Sequence, residues 1–136
     1  MLLKKIIKNL PIGIQKINIK GLSLDSRNTK KSYLFFAMKG TKYNGENYIA
    51  NAIRKGAKAI VCDTTCKIKN KKIPIIKVNN IRKTISTACR RFYQTKPKNI
   101  IAVTGTNGKS SVTDFYHQIL LSEKIPVASL GTLGVR

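Results

Sequence analysis

The residues with the clearest chemical capacity are Thr104-Gly105-Thr106-Asn107-Gly108-Lys109-Ser110-Ser111. The apolar run Ile100 to Val103 precedes them, and Val112, Phe115, Tyr116, Ile119 and Leu120 follow at helical spacing. Glycines between a strand and a helix let backbone N–H groups turn toward phosphate oxygens, and the helix N-terminus adds partial positive charge. A lysine at the end of such a loop reaches the outer phosphates, and the next hydroxyl, Ser110, can ligate Mg²⁺. The general pattern G-x-x-x-x-G-K-[ST] wants glycine where this chain has Val103, so the first glycine is displaced to Gly105. The plainer alternative is a strand–turn–helix connection that uses glycine only for shape.

The elements that must position this loop alternate between the two periods. Tyr33 to Met38, Ala59 to Cys62, Ile73 to Val78, Ile100 to Val103 and Val127 to Leu130 read as strands. Ile17 with Ile19, then Leu22 with Leu24, suggest two short strands around Gly21, ending at Asp25-Ser26-Arg27. Helices are expected over residues 3–10, from Asn44-Gly45 to Lys55 with Gly56 as the stop, and from Ile81 to Phe92, capped by Asn79 or Asn80. Alternating strands and helices define an α/β fold. The boundary falls near residues 95–98, dividing the chain into 1–97, a small mixed-sheet domain, and 98–136, the opening strand–phosphate loop–helix–strand of a parallel-sheet domain.

Composition narrows the class. With 42% hydrophobic residues, a packed core is the expectation rather than disorder. No apolar run reaches membrane-spanning length, and lysines interrupt the first ten residues where a secretory signal needs a continuous apolar stretch, so a cytoplasmic protein is expected. Three cysteines and one histidine show no metal-ligand spacing, and reduced thiols are expected. The net charge of +22 raises a nucleic-acid role. Lysines occur in nearly every segment rather than along one stripe, and the aromatics sit within apolar runs, so a general basic surface is the preferred reading.

The displaced glycine resembles the ATP loop of the Mur ligases and their folylpolyglutamate synthetase relatives. Leu24-Asp25-Ser26-Arg27, Leu34-Phe35-Phe36-Ala37-Met38-Lys39-Gly40, Asn44-Gly45 and Ala52 through Val61 resemble the UDP-binding N-terminal domain of those ligases. Ser129-Leu130-Gly131-Thr132-Leu133-Gly134 is similar to the tract that follows in the member adding the third stem-peptide residue.

The resemblance implies ATP-dependent amide formation in peptidoglycan synthesis, adding meso-diaminopimelate or lysine to UDP-N-acetylmuramoyl-L-alanyl-D-glutamate, with ATP and Mg²⁺ as cofactors. It implies that Gly105, Thr106, Asn107, Gly108, Lys109, Ser110 and Ser111 bind ATP, with Lys109 catalytic and Ser110 at the Mg²⁺-phosphate site. Leu24, Ser26, Thr41, Lys42 and Tyr43 would contact the UDP-muramoyl peptide. Arg27 is a phosphate partner by charge or a surface ion-pair residue. The chain would hold the first domain and only the start of the second, and would be inactive alone. Rival readings are the D-alanyl-D-alanine-adding ligase, a non-catalytic UDP-sugar-binding module and a basic nucleic-acid-binding protein.

Overall fold

A computed structural model describes residues 1–41 and 43–136. The chain forms two compact units, Met1–Lys96 and Pro97–Arg136.

In the first unit, strands β1 (Gly21–Ser23), β2 (Tyr33–Ala37), β3 (Ala59–Asp63) and β4 (Ile75–Val78) form one sheet in the order β1-β2-β3-β4. Every pairing is parallel, with Gly21 opposite Tyr33, Phe36 opposite Val61 and Val61 opposite Ile76. Period-two alternation sends successive side chains to opposite faces. On one face Leu34, Phe36, Ala59 and Val61 pack with Leu3 and Ile6 of helix α1 (Leu3–Ile6) and with Ala88 of helix α3 (Ile81–Phe92). On the other, Phe35, Ala37, Ile60 and Cys62 pack against Ile49 and Ala52 of helix α2 (Ile49–Arg54) and against Cys66. Each fully buried phenylalanine contributes ~1.5–3 kcal/mol of transfer free energy. Burial, helped by a hydrogen bond with Cys66, pushes the Cys62 thiol up to about 12, which keeps it protonated inside this core.

Local signals explain the helix limits. The Asn80 side chain accepts from the Lys83 N–H at 2.9 Å, capping α3. Arg91 donates to the Ile6 carbonyl at 2.9 Å and ties α3 to α1. The helix expected over residues 3–10 ends at Ile6, because Ile7 is extended and Asn9 turns with φ 56°.

The sheet of the first unit is parallel throughout rather than mixed. Residues 17–19 contribute only an isolated antiparallel bridge, Asn18 with Leu2, so the expected pair of strands around Gly21 reduces to β1.

The second unit contains helix α4 (Lys109–Ser122) and a two-stranded antiparallel hairpin, β5 (Leu130–Gly131) with β6 (Gly134–Val135). Residues 100–103 and 127–129 lie outside regular structure, so the strand expected at 100–103 does not form and the one expected at 127–130 reduces to Leu130 at the start of β5. A strand exists by pairing, and no parallel neighbour stands beside either run within this unit among the described residues. Arg136 pairs with Asp114 at 2.5 Å, fastening the hairpin to α4.

Candidate functional site

A cleft of ≈ 700 Å³ opens at the carboxyl ends of β1 and β2. That is the end of a parallel sheet where ligands bind in open α/β folds. Leu24, Ser26 and Arg27 line it from the segment after β1; Thr41, Tyr43 and Tyr48 line it from the segment after β2, and Asn51 from α2. The mixture of apolar surface, aromatic rings and hydroxyls suits a nucleoside-sized ligand.

The segment after β1 is held by its own polar groups. The Ser23 hydroxyl donates to the Asp25 carbonyl at 2.6 Å, and Thr29 Oγ1 donates to the same carbonyl at 3.2 Å. Asp25 caps a 3₁₀ turn at Ser26–Asn28, its carboxylate accepting the Arg27 N–H at 2.8 Å. The Arg27 guanidinium returns to the same carboxylate, with Nε at 3.0 and 3.1 Å and Nη2 at 2.8 Å. These hydrogen bonds from Arg27, side chain first, hold the Asp25 carboxyl below its usual range. Of the two roles open for Arg27, the structure shows the ion pair.

From α2, Asn51 Nδ2 donates to Ser26 Oγ at 3.0 Å and Lys55 Nζ donates to the Arg27 carbonyl at 2.8 Å. Ser26 is only 4% exposed, whereas Leu24 is 53% and Tyr43 71% exposed. The other wall depends on Gly45. A Cβ there would fall 2.6 Å from the Met38 carbonyl oxygen and 2.7 Å from its nitrogen, so only glycine permits this approach. The Gly45 N–H donates to that carbonyl at 3.0 Å.

Leu24, Ser26, Thr41 and Tyr43 thus lie around one cleft; Lys42 is outside the described residues. Asn51 and Tyr48 also line it and escaped the sequence reading. Both sit in a segment whose polar residues look like an ordinary solvated helix face.

In the second unit, Gly105 has φ 151° and Gly108, at the N-cap of α4, has φ 74° and ψ −4°. Left-handed backbone at Gly108 turns the chain into the helix, with open space where a Cβ would project. Residues 104–111 are all exposed. The Lys109 ammonium donates to the carbonyls of Gly105 and, at 3.1 Å, Thr106. Ser110 Oγ lies 3.2 Å from Thr132 Oγ1 of the hairpin turn. Glycine-shaped backbone, a helix start and one ammonium fit a polyphosphate. Ser110 offers an oxygen suited to a hard cation but does not form a cation site alone.

Comparison with known proteins identifies the class. The profile described as "Mur ligase family, catalytic domain" matches residues 18–93, more than half of the chain, and the chain belongs to the Mur ligase family. A UDP-N-acetylmuramoyl-L-alanyl-D-glutamate–2,6-diaminopimelate ligase of Rickettsia bellii is 45% identical over 123 residues, covering 89% of this chain and 24% of the relative. The enzyme of the same name from Brucella melitensis is 37% identical over 120 residues, covering 88% of the chain and 25% of the relative. The chain therefore spans about a quarter of the length of these relatives.

Among solved structures, a ligase of that name superposes over the whole chain and 28% of its own length, with TM-score 0.74 and 24% identity. A MurF ligase from Thermotoga maritima in complex with ADP superposes over 75% of the chain and 23% of its own length, with TM-score 0.60 and 24% identity. These two likenesses establish the α/β fold.

Proposed function

We propose that this chain supplies the UDP-sugar cleft and the ATP phosphate loop of a ligase that adds the third stem-peptide residue to UDP-N-acetylmuramoyl-L-alanyl-D-glutamate. The observation that carries the reading is the convergence of Leu24, Ser26, Thr41 and Tyr43 on one cleft beyond the carboxyl end of a parallel sheet. The names of the similar ligases favour diaminopimelate as the incoming amino acid. Residues 1–97 act as the UDP-sugar-binding domain and 98–136 as the start of the ATP-binding domain. Precursor synthesis of this kind takes place in the cytoplasm, and no helix among the described residues is long and apolar enough to cross a membrane.

ATP with Mg²⁺ supplies the phosphoryl group that activates a substrate carboxylate for attack by an amine. The chain's own residues position and neutralise. Backbone N–H groups of residues 105–110 would hold the phosphates, and the Lys109 ammonium would neutralise charge at the outer phosphate. Ser110 would offer its hydroxyl to the cation, and Ser26 would donate a hydrogen bond to the UDP-sugar.

Two titrations test the reading. Calorimetry with UDP-N-acetylmuramoyl-L-alanyl-D-glutamate gives saturable binding that Ser26→Ala weakens by about 1 kcal/mol, the cost of one hydrogen bond. Titration with ATP and Mg²⁺ gives binding lost in Lys109→Ala. Equal affinity of Ser26→Ala and wild type leaves Ser26 as a residue of the 3₁₀ turn only, and ATP binding indifferent to Lys109 returns the loop to a structural connection.

A further inference from the structure

We infer that Asn51 is a positioning residue that occupies one lone pair of Ser26 and leaves its hydroxyl proton for the cleft, so that this position favours ligands presenting an acceptor oxygen. The inference rests on the reading of the cleft as a UDP-sugar site and assigns a role to a residue one layer behind the ligand.

A serine hydroxyl has one proton and two lone pairs and is normally indifferent to the polarity of its partner. Here the balance is tilted toward donation. Asn51 Nδ2 donates to Ser26 Oγ at 3.0 Å, so one lone pair is occupied from the α2 side. The hydroxyl proton has no protein acceptor among the described residues. Ser26 is 4% exposed and lines the cleft, which leaves the cleft as the direction in which its proton is satisfied. Uracil carbonyls and diphosphate oxygens are acceptors of the matching kind.

The backbone under the serine is fixed by the same helix. Lys55, one turn beyond Asn51, holds the Arg27 carbonyl at 2.8 Å. Asp25 caps the turn beneath, and the Thr29 N–H closes it on the Ser26 carbonyl at 3.4 Å. Serine therefore meets a ligand without first being ordered, the condition under which one hydrogen bond contributes most to discrimination.

The test uses a substitution that preserves shape and reverses polarity. In Asn51→Asp the carboxylate accepts only, so the Ser26 proton turns away from the cleft and toward α2. Binding of UDP to the full chain is measured for wild type, Ser26→Ala, Asn51→Asp, Asn51→Ala and the Ser26→Ala/Asn51→Asp double variant, alongside their thermal midpoints. The expected result is about tenfold weaker binding in Asn51→Asp, a smaller loss in Asn51→Ala, where the serine rotates freely, and unchanged midpoints. The double variant binds like Ser26→Ala alone, because the aspartate acts through the serine.

Asn51→Asp within twofold of wild type, with Ser26→Ala weakened, overturns the inference and leaves the cleft reading standing. A further loss in the double variant assigns the effect to charge repulsion and also overturns it. Equal losses in Asn51→Asp and Asn51→Ala with lowered midpoints reduce Asn51 to a structural tie. No UDP binding by wild type removes both the inference and the reading beneath it.

Discussion

Phe36 and Phe115 are the same side chain in segments that look equally core-like, yet Phe36 is 1% exposed and Phe115 is 65% exposed. The difference separates the two units. In the first, each face of the sheet meets a helix layer, and both apolar clusters are filled. In the second, Ile100, Ile101, Leu130 and Leu133 are exposed, as are Val112, Phe115 and Ile119 of α4. Apolar pattern states what a segment can bury, and burial requires a second layer. The phosphate loop is thus shaped by local glycine geometry, while the cleft of the first unit is shaped by tertiary packing.

The largest effect expected from this contrast is at Phe36. Phe36→Ala should destabilise the first unit by ~3–5 kcal/mol, the usual cost of emptying a phenylalanine site in a packed core. Urea unfolding followed by circular dichroism measures it, and a loss under about 1 kcal/mol would mean that the core is loosely packed. Asn80→Ala should cost about 1 kcal/mol through the lost α3 cap, seen as an earlier urea midpoint with unchanged slope. Phe115→Ser should change stability by no more than about 0.5 kcal/mol, since its ring already faces solvent. A large destabilisation there would instead reveal a covering layer over α4 and dissolve the contrast.

How much of this was legible in the sequence follows from the range of the forces involved. Helix α3 was readable from end to end because its period, the Asn80 cap and the following Pro97 are all local. Strands β2 and β3 were readable because both faces are buried, giving continuous apolar runs. Whether the sheet was mixed or parallel was not readable, since direction depends on which strand lies alongside. Pairing is equally unreadable at 100–103 and 127–129, where apolar runs suited to burial meet no partner strand among the described residues. At the cleft, Leu24, Ser26, Thr41 and Tyr43 came from motif resemblance. Asn51 did not, because its link to Ser26 spans 25 residues and exists only once α2 packs beside the turn.

The reading of the first unit as the UDP-sugar-binding domain has a direct test. The direct measurement compares calorimetric titrations of the 136-residue chain and of residues 1–96 with UDP-N-acetylmuramoyl-L-alanyl-D-glutamate. The account predicts the same Kd for both within about twofold, with Ser26→Ala weakening each by about fivefold, the equivalent of one hydrogen bond. Binding by the full chain that disappears in a folded 1–96 fragment would contradict it, because the cleft would then require groups from beyond Lys96.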